Sequence, residues 1–301
     1  MILPVTVKDG NGNPIPGLQK DDFRVFDDHV EQSISVFTAE GVPLSLVVLV
    51  DDDLRPDDAA QLVASLHALL VGLGSSDEAV FCHFDVEFYP GKGFTSDQDD
   101  LLAELDEVRA KSGPSSAGPV PFVTEPSSHP RGVGEPPVAA PTDLGSRPTK
   151  ALDDALYAAA QLLRDRDRAR RRIVLLLSDG LNGDQFNHHN YEETLSTLLD
   201  QSVSVYSIAV GASSARGKFA RLLNYALSTG GDIRYARKSR ELERFYSEIT
   251  EQARHEYTLA YVPRGNRESS AYHVIEVRTR QGLEVQTRQG YYSTPRRGSE
   301  Q

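Results

Sequence analysis

The spacing of hydrophobic and polar positions changes twice along this chain. Within residues 2–42, short runs such as Phe23–Phe26 alternate apolar and polar side chains. This alternation predicts strands with one buried and one exposed face. The same pattern returns after His255, for example in His273–Val277. Both ends of the chain are therefore predicted to be rich in β-strands.

The middle of the chain alternates apolar strands with amphipathic helices. Leu44–Val50 and Ile173–Ser178 are almost continuously apolar, which is typical of strands buried on both faces. Segments such as Asp57–Leu73 carry leucines at helical spacing. Strands that alternate with helices predict a mostly parallel sheet covered on both sides. The predicted fold class is α/β: a doubly wound, mostly parallel sheet, flanked by a small β-rich module made from both chain ends.

These changes of pattern divide the chain into predicted units. We expect an N-terminal β segment at 1–42, an α/β domain at 43–255, and a C-terminal β segment at 256–293 that packs with the first. Residues 294–301 are expected to be a tail. Nine of the 17 prolines lie in residues 112–148, which predicts a long loop or a disordered insertion there. A docking peptide for a proline-reading module is the alternative interpretation of that stretch.

Composition narrows the classes of function. The formal net charge of −12 argues against general nucleic-acid binding, which requires a basic surface. The single cysteine, Cys82, excludes an internal disulfide and is predicted to be a buried strand residue. No run approaches the ~18 apolar residues of a membrane helix. No signal peptide is visible at the start of the chain, so the residues themselves do not indicate the compartment.

Acidic residues follow two of the predicted buried strands. Asp51, Asp52 and Asp53 come after the first, and Asp179 comes after Ile173–Ser178. In open α/β sheets, ligands bind at the carboxyl ends of the strands, near a switch in strand order. If the two strands are neighbours, their acids face one crevice. Carboxylate oxygens close together suit a divalent cation such as Mg²⁺.

Three segments resemble the motifs of a von Willebrand factor A domain. They are the hydrophobic strand that ends in Asp51, the helix motif Thr149-x-x-x-Asp153-Asp154-Ala-Leu-Tyr, and Leu-Leu-Leu-Ser-Asp179-Gly-Leu-Asn. The flanks Val5–Phe23 and Glu256–Tyr292 resemble those of bacterial VWFA-related proteins described from Acidobacteria. The similarity covers nearly the whole chain except the Pro-rich stretch. It implies a non-enzymatic protein–protein interaction or adhesion module that is secreted, periplasmic or at the cell surface.

The resemblance also implies a metal-ion-dependent adhesion site. The family motif is Asp-x-Ser-x-Ser, followed by a threonine from a loop and an Asp after a later strand. By position, Asp51 matches the first Asp and Asp179 the last, while Asp53 and Arg55 replace the two serines. Thr149 is the best candidate for the threonine, although it lies one residue off the family spacing. The predicted metal ligands are Asp51, Asp53, Thr149 and Asp179.

The presence of Arg55 leaves open whether this site binds a metal ion. Its guanidinium could form a bidentate salt bridge with Asp53 or Asp179 and so occupy the place of the cation. The residues alone therefore leave open whether the site holds Mg²⁺, another divalent cation or none. Arg55, Asp52 and Asn182 are expected to contact the ligand of the domain. An acidic side chain of a partner protein could meet Arg55 directly.

Two other functions use the same residues. Asp51-x-Asp53 after a hydrophobic strand is similar to the nucleophile motif of haloacid dehalogenase-type phosphatases, which use Mg²⁺. That family expects Thr or Val where Arg55 stands, and Lys150 would have to supply its later lysine. The other alternative is an inert scaffold, in which the acids merely hold loops through hydrogen bonds to backbone amides.

Two further clusters receive structural interpretations. The arginines between Arg164 and Arg172 follow a predicted helix and are expected to be a solvated helix end, with nucleic-acid binding as the alternative. His188 and His189 follow Asp179 and are expected to be loop residues at the rim of the site. A zinc pair is the alternative, but adjacent histidines are expected to point apart.

Overall fold

The structure is a computed structural model, and it describes residues 1–111, 150–211, 219–236, 238–264 and 272–293. The predicted insertion at 112–148, the tail 294–301 and Thr149 lie outside the described residues.

The secondary structure follows the predicted alternation. In chain order, the strands are β1 (Ile2–Lys8), β2 (Phe23–Asp27), β3 (Val30–Gln32), β4 (Ile34–Thr38), β5 (Leu44–Asp51), β6 (Glu78–Phe84), β7 (Phe88–Tyr89), β8 (Arg171–Ser178), β9 (Val203–Val210), β10 (Ile233–Ala236), β11 (Tyr257–Tyr261), β12 (Tyr272–Thr279), β13 (Glu284–Thr287) and β14 (Gly290–Tyr292). The α-helices are α1 (Pro56–Gly72), α2 (Gln98–Lys111), α3 (Leu152–Arg164), α4 (Tyr191–Asp200), α5 (Ala220–Thr229) and α6 (Ser239–Arg254).

A six-stranded sheet lies at the centre of the α/β part. Its order is β10-β9-β8-β5-β6-β7, and β7 alone among these strands pairs antiparallel. All eight residues of β5 are buried because helices cover both faces of the sheet. Leu46 and Val48 pack with residues of α1 and α6 on one face, and Val47 and Leu49 pack with residues of α3, α4 and α5 on the other. The predicted α/β class is confirmed.

The two chain ends pair with one another. β1 lies between β11 and β13 in the antiparallel sheet β13-β1-β11-β4, and β12 pairs with β2 in the sheet β14-β12-β2-β3. The strands bury a separate apolar core that includes Leu3, Val25, Leu259 and Ile275. The β-rich module made from both ends is therefore confirmed. The domain boundaries at residues 42 and 255 stay a prediction.

The strand order sets the position of the candidate site. β5 has β6 on one side and β8 on the other, so the direction of strand addition reverses at β5. The crevice at the carboxyl ends of β5 and β8 is thus the switch point at which α/β sheets bind ligands. Asp51 is the last residue of β5, and Asp179 directly follows β8.

No helix among the described residues is both long enough and apolar enough to cross a membrane.

Candidate functional site

The two acids at the switch point share one partner, the ammonium group of Lys150. Lys150 Nζ lies 2.7 Å from Asp51 Oδ2 and 2.8 Å from Asp179 Oδ1. The lysine is 0% exposed and Asp51 is 1% exposed, whereas the Asp179 side chain is 24% exposed. A single buried cationic group therefore holds together the two strand ends that the sequence predicted to be neighbours.

Both oxygens of the Asp51 carboxylate accept hydrogen bonds within the protein. Oδ2 accepts hydrogen bonds from Lys150 and, at 2.6 Å, from the Ser178 hydroxyl, while Oδ1 accepts one at 3.0 Å from the backbone N–H of Asp53. Burial raises the pKa of Asp51 to about 6, although the charge of Lys150 acts in the opposite direction and that of Asp179 adds to the rise. Desolvation is thus the dominant influence on this carboxyl group.

Lys150 is charged in this environment. Burial alone would lower its pKa, but the charges of Asp51 and Asp179 outweigh burial and hold the pKa above the ordinary lysine value. An ammonium has three N–H donors, of which two are directed at these carboxylates. The ammonium therefore lies between the two acids.

The backbone on both sides of Lys150 fixes its position. Its carbonyl accepts a hydrogen bond from Gly183 N–H at 2.8 Å, and the N–H of Ala151 donates to the Asp85 carbonyl at 2.8 Å. The Asn182 side chain accepts from Leu152 N–H at 2.9 Å, at the start of α3. Asn182, predicted to contact a ligand, therefore ties the loop after β8 to the start of α3.

The other predicted site residues lie around this centre. Asp53 and Arg55 are exposed, and Arg55 is the N-cap residue of α1. None of the ion pairs found among the described residues includes Arg55. The Asp52 carboxylate pairs with His83 Nδ1, and that ring stacks on Tyr89 with centroids 4.7 Å apart. The cationic group that lies between Asp51 and Asp179 is therefore that of Lys150, and the proposed salt bridge of Arg55 with Asp53 or Asp179 is not among the ion pairs found in the described residues.

The sequence contained one signal for Lys150. Thr149 fits the threonine motif only with an error of one residue, and Lys150 is the next residue along the chain. Thr149 itself falls outside the described residues. The assignment of Thr149 to the motif stays a prediction.

A second polar layer supports the site from the side of α3. The Asp153 carboxylate is buried, accepts hydrogen bonds from Arg221 Nε and Tyr225 OH at 2.8 Å each, and forms a salt bridge with Arg221. The hydrogen bond to Asp153 is the main reason that the pKa of Arg221 is raised. This pair joins α3 to α5.

His188 and His189 both contact the carboxylate of Asp154. Its carboxylate accepts the backbone N–H groups of His188 and His189 at 2.8 Å each and lies 2.9 and 2.8 Å from their Nδ1 atoms. Burial acts to raise the pKa of Asp154, but the bonds from the histidines outweigh it and lower the pKa. The His189 ring also stacks on Tyr157 at 3.6 Å. The expectation that the adjacent rings point apart was wrong, because both turn toward one carboxylate.

One group of the described residues has the composition of a metal site, and it lies in the β-rich module. Ligand atoms of Asp27, Asp28 and His273 lie within 4.8 Å of one another. Asp27 Oδ2 accepts hydrogen bonds from Tyr261 OH at 2.6 Å and Tyr291 OH at 3.0 Å. The group could hold a divalent cation, and nothing in it selects Mg²⁺.

Comparison with known proteins finds only distant similarity. No family model and no curated protein matches the chain. Similar solved structures include an aerotolerance-related membrane protein from Bacteroides fragilis, at 14% identity and a TM-score of 0.45 over 70% of this chain and 100% of that one. A manganese-loaded TRAP protein from Plasmodium vivax gives 14% identity and a TM-score of 0.46 over 85% and 82% of the two chains.

A mussel byssus protein is also similar. Proximal thread matrix protein 1, solved with a zinc-occupied MIDAS motif, gives 15% identity and a TM-score of 0.48 over 75% of this chain and 49% of that one. This chain thus spans about half the length of the mussel protein. The described strands and helices of this chain form the doubly wound α/β arrangement that the sequence predicted. Because the identities and TM-scores are this low, the function has to be inferred from the residues of this chain.

Proposed function

We propose that this chain is a non-enzymatic protein–protein interaction module of the von Willebrand factor A type, in which Lys150 replaces the metal ion of the adhesion site. The contact of one buried ammonium with both Asp51 and Asp179 carries this proposal. We also propose that the protein acts outside the cytoplasm, as its resemblance to VWFA-related proteins implies.

The charges at the site oppose a divalent cation. Two unit charges 4 Å apart interact by about 4 kcal/mol at an effective dielectric constant of 20, and a divalent ion beside an ammonium doubles that repulsion. Lys150 is fully buried, so it has no route to solvent without opening of the loop. A hard cation also needs about six oxygen ligands, and both oxygens of Asp51 already accept hydrogen bonds. The site is therefore expected to keep its geometry without metal.

The exposed residues around the centre supply the contact surface. Arg55 is exposed at the start of α1 and can meet an acidic side chain of a partner directly. Asp53 is exposed beside it and disfavours a second acidic contact. In this proposal, the buried contacts of Lys150 with Asp51 and Asp179 hold the loops in place. The exposed side chains of Asp53 and Arg55 then contact the partner protein.

Metal independence is tested by titrating Mg²⁺, Mn²⁺ and Ca²⁺ into the chelated protein with calorimetry and thermal unfolding. We expect wild-type protein to show no binding that depends on Asp51 and Asp179. Lys150→Thr should unfold at a lower temperature and regain stability with a divalent cation, because the two acids lose their cation. Lys150→Thr with Asp179→Asn is the matched control and should not be rescued. Wild-type binding that disappears in Asp51→Ala would overturn the proposal.

The interaction function is tested by capture of partners on the intact protein in EDTA, with quantification by mass spectrometry. We expect at least one protein that is retained in EDTA and lost with Arg55→Glu, while Arg164→Glu serves as a control for a change of charge elsewhere. An identical set of proteins on wild type and Arg55→Glu would favour the inert scaffold. Loss of all partners in EDTA would contradict metal independence.

The geometry opposes the phosphatase alternative. A nucleophilic aspartate has to reach the phosphorus of its substrate, whereas Asp51 is 1% exposed and uses both oxygens internally. We expect equal, background hydrolysis of a generic phosphate ester by wild type and Asp51→Asn in Mg²⁺. Hydrolysis of the phosphate ester by wild type and not by Asp51→Asn would instead support the phosphatase function.

A further inference from the structure

A pocket lies where the β-rich module meets the parallel sheet. Its lining includes Ile2 and Pro4 of β1, Thr258 of β11, and the segment 168–172 that leads into β8. Its volume is about 390 Å³, within the range of small-molecule sites. The eight residues of β5 span roughly 23 Å, so this end of the sheet is distant from Asp51. We call this cavity the junction pocket.

The floor of the junction pocket is the outer face of the sheet β13-β1-β11-β4. Leu3 and Leu259 belong to the apolar core of the β-rich module. Because side chains alternate between the two faces of a strand, Pro4 and Thr258 lie on the opposite, outer face. Thr258 pairs with Pro4 on one side and with Thr38 of β4 on the other. Since Thr38 also borders the pocket, three paired strands form the floor.

An exposed apolar row runs beside this floor. Ile2 of β1 lies opposite Ala260 of β11, and Ala260 lies opposite Val36 of β4. Ile2 and Val36 are 52% and 54% exposed, although both side chains are aliphatic. Ile2 also borders the pocket, so the row and the pocket form one continuous surface. Exposed apolar surface of this kind favours an apolar occupant.

The α/β part contacts the same face of this sheet farther along β1. Thr6 Oγ1 donates to Glu256 Oε1 at 3.3 Å, and the Tyr206 hydroxyl of β9 donates to the same oxygen. Lys8 Nζ lies 2.7 Å from Asp232 Oδ2. The exposed row therefore continues the face by which the β-rich module contacts the α/β part.

Arginines supply the charge of the pocket. Arg168 is exposed at the pocket, and none of the described ion pairs includes it. After burial, the charge of Arg168 is the next cause that lowers the pKa of Arg172, which borders the same pocket. Arg170 and Arg171 also border it, but each is paired with a glutamate. With Asp200 as the acid of this lining, the pocket is electropositive in a chain of formal net charge −12.

We propose that the junction pocket binds an amphipathic anion, an aliphatic chain that carries one carboxylate or phosphate head group. The chain lies over Ile2 and Pro4, and the head group pairs with Arg168. Burial of the methylenes supplies most of the affinity, while the guanidinium selects an anion. Because residues of β1, β11 and the start of β8 all border the pocket, the occupant contacts both the β-rich module and the α/β part.

The proposal is tested with isothermal titration calorimetry on the intact chain at low salt. The probes are octanoate and octyl phosphate below their micelle concentrations, which separate a carboxylate head from a phosphate head. We expect one-to-one binding of at least one of them. Each buried methylene contributes about fourfold, so the four-carbon analogue of the bound probe should bind at least about tenfold more weakly. Octyltrimethylammonium keeps the chain, reverses the charge and should not bind.

Three outcomes of this titration overturn the proposal. The first is that neither octanoate nor octyl phosphate binds. The second is that the four-carbon analogue binds as tightly as the bound probe, which would show that the chain makes no contact. The third is that octyltrimethylammonium binds as tightly as the anion, which would show that the arginine selects nothing.

Matched variants assign the binding to the junction pocket. Arg168→Gln should weaken the bound probe about threefold, whereas Arg164→Gln removes the same charge outside the pocket and should leave the affinity unchanged. Ile2→Thr should weaken it about threefold, whereas Val274→Thr alters an aliphatic residue of β12 that is 49% exposed and lies outside the pocket. Circular dichroism checks that each variant is folded. Equal affinities of wild type and Arg168→Gln, or equal weakening by Ile2→Thr and Val274→Thr, would refute the site.

Discussion

Replacement of Lys150 by methionine tests the physical role of the buried ammonium. Methionine keeps an unbranched apolar chain and removes only the charged end and its donors. In the variant, Asp51 Oδ2 keeps the Ser178 hydroxyl and Asp179 Oδ1 keeps the N–H of Leu181, at 2.6 and 3.0 Å. Two carboxylates then face each other at the switch point without a cation between them.

The magnitude follows from burial. Asp51 is 1% exposed, so its charge cannot be hydrated once Lys150 is gone. Removing one partner of a buried ion pair costs about 3–5 kcal/mol. One kcal/mol shifts the unfolding temperature of a domain of 150–250 residues by about 2–4 °C, so we expect a fall of roughly 6–20 °C at neutral pH. The loss should be smaller near pH 5, because Asp51, whose pKa is about 6 even beside Lys150, then takes up a proton.

Urea unfolding of wild type and variant, followed by circular dichroism, measures this loss. Lys92→Met is the matched control, since Lys92 pairs with Glu107 at 2.6 Å but the two side chains are 64% and 54% exposed. It should change stability by less than about 1 kcal/mol. Lys150→Met with Asp51→Asn should recover much of the loss, because the buried charge is removed with its partner. A loss below about 1 kcal/mol for Lys150→Met would refute a buried ion pair at this place.

Three further predictions concern Asp51, Gly231 and Cys82. Burial raises the pKa of Asp51 to about 6, above its unfolded value, so its stabilising contribution is present below about pH 4 and is lost as the pH rises through 6. Relative to Asp51→Asn, wild type should therefore lose about 2 kcal/mol of stability between pH 4 and pH 6 in urea unfolding, and parallel profiles would contradict it. Gly231→Ala should destabilise the fold by about 2 kcal/mol or more, since a Cβ there overlaps the Val205 carbonyl. Gly10→Ala, with nothing within 4 Å, is its control in thermal unfolding. Burial raises the pKa of Cys82 to about 12. A thiol reagent should therefore label Cys82 only in denaturant. Rapid labelling of the native protein would show that this thiol is accessible and not buried.

Local patterns in the sequence were sufficient for the main elements of the fold. The apolar run of β5, with Leu or Val at six of its eight positions, predicts a strand covered on both faces, and all eight residues are buried. The alternation in His273–Val277 likewise predicts the half-buried strand β12. Asp51 and Asp179 at the strand ends could be identified as site residues for the same reason, since a parallel sheet brings carboxyl ends to one edge.

The position of Lys150 could not be read in the same way. The residue belongs to no periodic pattern, and a lysine is ordinarily expected at the surface. The resemblance to the adhesion motif instead named its neighbour, Thr149, as a site residue. The two histidines after Asp179 gave no signal of their shared contact with Asp154, because the turn of the loop brings both rings to one carboxylate.

The sequence by itself determined which segments are strands and helices, and which acids end the central strands, because these depend on spacing along the chain. The tertiary structure decided which cation those acids meet and how deeply that cation is buried. Such contacts join residues 99 and 29 positions apart, as between Lys150 and its two acids. Their energies depend on burial and distance in three dimensions, which no local pattern encodes.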